Sequence, residues 1–254
     1  MRIILQTMLH GAQYFWAHQL FMQLAEGCAH PRILALTPAK AAPESVFSVI
    51  NKYARRRKLP SLIKNVAMRT MFRSDAAEFN RKSQLINQDF LLRADKRPAP
   101  YQACSCEAEA RDAIAAFGAE TVVVIGSPVL SKHYFLDNVK YINLHIGRIP
   151  DYRGLKCIEW ALLNQQREAI GFTVHEMTPV LDLGRVFHFE RVDSEGKSLS
   201  QIYIDCYLAG ITKALSIAIS GADEGFLPHH KGRVYQSIDF TNLEKHRLLQ
   251  IVSI

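Results

Sequence analysis

The sequence predicts an α/β fold around a mostly parallel sheet, and three features of its patterning carry that reading. Short apolar runs rich in branched residues recur along the chain, stretches with apolar residues at three-and-four spacing fall between them, and Gly or Pro punctuates the boundaries. Residues 2–7 (RIILQT) suit a buried first strand, and AQYFWAHQLFMQLAEG keeps helical spacing up to Gly27, a helix stop. RILALT at 32–37 is a second strand ended by Pro38. Pro43 to Ser45 can open a helix, so residues 44–92 read as helical or irregular, with a break at Pro60. After the turn-rich RPAPY at 97–101, EAEARDAIAAFG is an amphipathic helix closed by Gly118, and TVVVIG at 121–126 has the β-branched density of a central parallel strand. YINLHI at 141–146 is another short strand, and LKCIEWALLNQQ at 155–166 is helical. IGFTVHEM at 170–177 and GRVFHFERV at 184–192 alternate like antiparallel strands, and SLSQIYIDCYLAGITKALSIAISG is a long helix.

At 254 residues the chain can bury a full core without disulfides, and 48% apolar with 22% charged residues excludes a disordered or collagenous chain. One domain is expected at 1–192, with a basic helical insertion about 44–97, and 193–254 as a helix and short helical tail packed on the same domain. No uninterrupted apolar run reaches membrane-span length and the chain opens directly on its first strand, so it reads as cytoplasmic. The five cysteines (Cys28, Cys104, Cys106, Cys157, Cys206) read as reduced thiols. Cys104 and Cys106 lack a second pair to complete a zinc site, and the adjacent His229 and His230 lack other ligands, so no metal is expected.

The charge is local. Thirteen of the 31 basic residues fall between Lys52 and Arg97 against four acids, which gives this stretch +9 and the rest of the chain −2. A field of that sign attracts phosphates, nucleic acid or an anionic membrane, though a solvated helical face has the same composition. Neither G-x-G-x-x-G nor G-x-x-x-x-G-K-[ST] follows a strand, which weakens the usual dinucleotide and phosphate-loop readings.

Ligands of open α/β sheets sit beyond the carboxyl ends of the strands, and there Asn143 and His145 stand two apart on one strand, facing one way. A carboxamide can donate to an oxygen that gains negative charge, an imidazole can take or give a proton, and Asp182, in the turn VLDLG, could orient that imidazole. Taken singly, a histidine at a strand end is more often structural, and an aspartate there more often a turn former.

Their order adds specificity. INLHIGRIPDYRGLKCIEWALLNQQREAIGFTVHEMTPVLDLGRVF, residues 142–187, resembles the signature of the folate-dependent formyltransferases. That family reads N-x-H-P-S-L-L-P-x-Y-R-G, a helix ending A-L-x-N, then T-G-x-T-x-H-x-M and L-D-x-G. Asn143, His145, Pro150, Tyr152, Arg153, Gly154, Ala161, Leu162, Asn164, Gly171, Thr173, His175, Met177, Asp182 and Gly184 stand in matching places. VVVIGSPVLS at 122–131 resembles the preceding strand and loop; before residue 100 the likeness is topological only.

The resemblance implies a Rossmann-like formyltransferase domain that takes a formyl group from 10-formyltetrahydrofolate, a co-substrate, to a primary amine. Asn143 would hold the formyl oxygen, His145 would assist deprotonation of the amine, and Asp182 would set the charge of the histidine. The pterin would lie against Pro128, Val129 and Leu130 and the loop Thr178, Pro179, Val180 and Leu181, whose main-chain groups read its edge. Arg148, Tyr152, Arg153 and His175 are the candidate substrate-binding residues.

Departures from the pattern fall at Ile146, Gly147 and Arg148, where the family has Pro, Ser and Leu; Arg148 is expected either to face solvent or to meet an anionic group. The acceptor favoured is an amino sugar on a nucleotide carrier, because GRVYQSIDFTNLEK at 232–245, with Tyr235 and Asp239, loosely resembles the end of amino-sugar formyltransferases. Arg55, Arg56, Arg57 and Lys58 would suit its phosphates. Methionyl-tRNA, glycinamide ribonucleotide and hydroxyornithine are the alternative amines, and methionyl-tRNA loses ground because about 60 residues follow 190 where a β-barrel is expected. A degenerate, non-catalytic binding member is the other reading. Partners beyond the substrate are a homodimer and, less favoured, nucleic acid or an anionic membrane through 52–97.

Overall fold

The apolar runs and helical stretches become, in chain order, β1 (Arg2–Met8), α1 (Ala12–Ala25), β2 (His30–Leu36), α2 (Arg73–Arg93), β3 (Gln102–Cys104), α3 (Glu107–Phe117), β4 (Thr121–Ile125), β5 (Lys140–Ile146), β6 (Tyr152–Gly154), α4 (Cys157–Leu163), β7 (Gly171–Glu176), β8 (Val186–Arg191), α5 (Leu199–Ser220), β9 (Arg233–Tyr235) and α6 (Asn242–Leu249). The computed structural model describes residues 1–8, 11–27, 30–37, 70–94, 99–221 and 224–253. The expected helix start at 43–45 and the cluster Arg55, Arg56, Arg57 and Lys58 lie outside the described residues.

Among the described residues seven strands form one sheet in the order β3-β2-β1-β4-β5-β7-β8. It is parallel from β3 to β5, and β7 and β8 then run antiparallel, each to its neighbour. The fold is therefore the expected α/β architecture with a mostly parallel sheet. Central strands of such a sheet are covered on both faces, which is why RIILQT and TVVVI carry no polar alternation. Ile3, Leu5, Val123, Ile125, Ile142 and Leu144 point to one face, where α1 and α5 cover them. Phe90 of α2 packs there too, its ring 5.3 Å from Trp16 and 5.8 Å from Tyr207. Ile4, Val122, Val124 and Tyr141 point to the other face and pack with Ala110 and Ile114 of α3.

Two of the helices end at the glycines that the sequence marks as stops. Gly118 is left-handed after α3, as is Gly221 after α5, and Ser198 caps α5 by accepting from the Gln201 N–H at 3.2 Å. By length and composition α5 could cross a bilayer, yet 56% of its apolar window is buried, and it serves as a core helix of this sheet. A second capping device, Thr241 with Glu244, starts α6, whose His246 donates to Asp75 of α2 at 2.7 Å.

Three short strands differ from the sequence expectation. β3, β6 and β9 have three residues each, too few to display a period, and the structure pairs β6 with β9 in parallel as a separate two-stranded sheet. α4 is shorter than the helical pattern at 155–166, because Lys156 and Gln165 adopt left-handed φ values of 59° and 58° at its two ends.

Candidate active site

β4 and β5 end side by side, and the chain beyond them opens a cavity of about 580 Å³. Its walls come from the loop Gly126 to Leu130, the β5 residues Asn143 to Ile146, the turn Gly154 to Cys157, and His175 with the loop that follows it. Tyr14 of α1 and Tyr203 and Tyr207 of α5 complete it, together with Val234, Tyr235, Gln236 and Ser237.

The register of β5 against β7 gathers the polar groups. Asn143 lies opposite His175 and His145 opposite Thr173, so the side chains of one β5 face meet those of β7. His175 is almost fully buried, and burial pushes its imidazole down to about 4, partly offset by the Asp182 carboxylate nearby. The ring is therefore neutral at physiological pH. Its Nδ1–H donates to the Glu176 carbonyl at 2.8 Å, which leaves Nε2 as an acceptor for the Asn143 amide at 2.9 Å. This fixes which end of Asn143 faces His175 and leaves the second amide hydrogen of Asn143 for the cavity.

His145 is held as firmly. Its Nε2–H donates to the Tyr152 carbonyl at 2.9 Å, and Nδ1 stands 3.7 Å from Asp182 Oδ2. Nδ1 is thus the ring nitrogen left to exchange a proton, with a carboxylate facing it. Asp182 accepts from the Gly154 N–H at 2.8 Å, and its other oxygen lies 3.7 Å from His175 Nε2. Carboxamide, imidazole and carboxylate consequently meet at one wall, and small rotations would close the remaining gaps to hydrogen-bond length.

Other residues expected at the site are distributed more widely. Pro128, Val129, Leu130, Thr178, Pro179 and Leu181 line the cavity, whereas Val180 does not; its main-chain carbonyl accepts from the Thr178 hydroxyl at 3.0 Å. Tyr152 and Arg153, expected to bind substrate, do not line the cavity. The Tyr152 hydroxyl is taken up by Gln166 and Asn164, and the Arg153 guanidinium donates to the carbonyls of Leu181 and Gly232. Arg148 does not line it either: it pairs with Asp151 at 3.3 Å and lies over the Phe189 ring, so the anion it meets is a carboxylate of its own chain. Gly147 has φ of 140°, and a Cβ there would stand 2.6 Å from Cys157 Cβ, so serine could not replace it without moving Cys157. Burial pushes the Cys157 thiol well above its ordinary range, which makes it a wall and not a nucleophile. Tyr14, Cys157, Tyr203 and Tyr207 have no spacing signal in the sequence that marks them as cavity residues, and the tail at 232–245, which resembles the end of amino-sugar formyltransferases, supplies a wall through residues 234–237.

The buried histidines give a stability prediction. His18, whose Nε2 donates to the Thr7 hydroxyl at 3.1 Å, is also pushed down to about 4 by burial. An unfolded histidine protonates near 6.5, so the folded state binds fewer protons between about pH 6.5 and 4. Stability contributed by the two neutral rings is present above that window and lost as pH falls through it. Thermal melts should show Tm falling from about pH 6.5 downward, with a shallower fall in His18→Leu.

Comparison with known proteins finds formyltransferases. The chain matches a methionyl-tRNA formyltransferase of Campylobacter curvus at 37% identity over 82 residues, 32% of this chain and 27% of that protein. It matches a GDP-perosamine N-formyltransferase of Brucella melitensis at 33% over 76 residues, 26% of this chain and 29% of that one. These matches span less than a third of either relative. In fold it is similar to WlaRD, a sugar 3N-formyl transferase solved in the presence of dTDP and 5-N-formyl-THF, with TM-score 0.55 and 9% identity over 99% of this chain and 78% of that one. The family described as "Formyl transferase" matches residues 50–201, a span that takes in β5, β7 and the whole polar cluster, and the chain belongs to that family.

Proposed function

We infer that this protein moves a formyl group from 10-formyltetrahydrofolate to the primary amine of a nucleotide-linked sugar. The observation that carries the reading is the meeting of Asn143, His145 and Asp182 at one wall of a cavity large enough for a small-molecule donor. Its apolar lining by Pro128, Val129, Leu130, Met177 and Pro179 suits a flat reduced pterin. The donor supplies an activated one-carbon unit. The free N–H of Asn143 meets the formyl oxygen where negative charge develops, His145 Nδ1 takes the proton of the attacking amine, and Asp182 holds the charged ring. One N–C bond forms and the N10–C bond of the donor breaks, with the proton lost by the amine returned to N10. The nucleophile belongs to the acceptor, so no activated serine or cysteine is required.

The amino-sugar acceptor draws support from the GDP-perosamine N-formyltransferase match and from the fold shared with WlaRD. Incubation with 10-formyltetrahydrofolate and a panel of GDP-, dTDP- and UDP-linked amino sugars, with methionyl-tRNA, glycinamide ribonucleotide and hydroxyornithine beside them, tests it by mass spectrometry. A gain of one CO unit on an amino sugar is expected. A gain on another amine alone would replace the acceptor and keep the chemistry, and a gain on none would remove the reading.

A further inference from the structure

The two side chains at the centre of the site are both held by the main chain of β6. The Tyr152 carbonyl accepts from His145, and the Gly154 N–H donates to Asp182. A three-residue strand cannot keep its own position, and among the described residues β6 has one strand partner, β9, paired Tyr152 with Arg233, Arg153 with Val234 and Gly154 with Tyr235. The Leu155 N–H adds a bond to the Tyr235 carbonyl at 3.0 Å. Arg153 joins the same parts from another side, because its guanidinium donates both to Leu181, next to Asp182, and to Gly232, next to β9.

Side chains and glycines make this approach close. Tyr235 is buried between Tyr152 and Trp160, with ring centroids 5.5 Å and 4.9 Å away, and Arg233 lies over it at 4.7 Å. Asn164 donates to the hydroxyls of both tyrosines. A Cβ on Gly154 would stand 2.3 Å from the Tyr235 carbonyl oxygen, and one on Gly232 would stand 1.8 Å from that of Pro150. The segment is therefore fitted to β6 at van der Waals distance, and it lies outside the family match at 50–201.

We propose, on the formyl-transfer reading given above, that β9 is a working part of the active site and that Tyr235 is a positioning residue, setting the separation of His145 and Asp182 through β6. The same segment forms a cavity wall from Val234 to Ser237, so one element both holds the proton-exchanging groups and bounds the space beside them. Small misplacements of such groups are costly, about 10- to 100-fold in turnover.

The test uses the full chain. Tyr235→Ala is expected to lower kcat and kcat/KM together by about 10- to 100-fold with the protein still folded by circular dichroism, as for an interaction felt in the transition state. Tyr235→Phe, which keeps the stacked ring, should recover most of the loss. Gly232→Ala displaces the segment without removing the tyrosine and should act in the same direction, which covers the case of a Tyr235→Ala protein that does not fold. A second readout is independent of activity: in protein labelled with ¹⁵N-histidine, the His145 imidazole resonances, assigned with His145→Gln, should move in Tyr235→Ala and return in Tyr235→Phe. Folded variants with unmoved His145 resonances, or with kcat within about twofold of wild type, would overturn the proposal. If the wild-type protein formylates no acceptor, the formyl-transfer reading fails, and the imidazole resonances still decide whether β9 positions His145.

Discussion

His145→Ala is expected to reduce formyl transfer by roughly two to four orders of magnitude while leaving the protein folded. The imidazole is buried, its Nε2 is committed to the Tyr152 carbonyl, and its Nδ1 is the one nitrogen in the cluster able to exchange a proton beside a carboxylate. His175 cannot substitute for it, because burial keeps that ring neutral and both its nitrogens are bonded. Asn143→Ala should cost roughly 10² or more, since it removes the N–H aimed at the developing charge. Single-turnover assays with saturating donor and acceptor check both, and a His145→Ala enzyme with half of wild-type activity would sink this mechanism.

Asp182→Asn should be of comparable severity, on the order of 10² or more in turnover. The choice of asparagine matters. Asp182 sits at φ 48°, a left-handed conformation that asparagine tolerates and alanine does not, so alanine would mix backbone strain with loss of the carboxylate. The amide oxygen of asparagine can still accept from the Gly154 N–H, which isolates the negative charge facing His145. The expected signature is a fall in kcat with far-UV circular dichroism unchanged. Activity within a factor of about three of wild type would remove Asp182 from the proton-transfer machinery.

Much of this architecture can be read from residue order. β1 and β4 are legible because strands covered on both faces are apolar along most of their length, and the spacing of Asn143 and His145 is legible because residues two apart on a strand share a face. Asp182 is legible from its place in an ordered series of motifs more than from its own surroundings. What escapes is whatever depends on distant segments meeting. Tyr203 and Tyr207 reach the cavity only because α5 crosses behind β5, and nothing in their helical spacing separates a core tyrosine from a cavity one. The polar ends of Tyr152 and Arg153 are taken by Asn164 and Gln166 across α4 and by the Leu181 and Gly232 carbonyls from later segments, contacts that the motif spacing does not show. The substitution of glycine at 147 becomes intelligible only beside Cys157.

The pairing of Gly154 with Tyr235 also orders events in time. A nascent polypeptide that has grown as far as α5 already possesses all seven strands of the large sheet, yet β6 still waits for its mate. Synthesis must pass Tyr235 before the cavity has the wall that Val234 to Ser237 supply, so a product cut short after α5 would hold the large sheet and lack that wall.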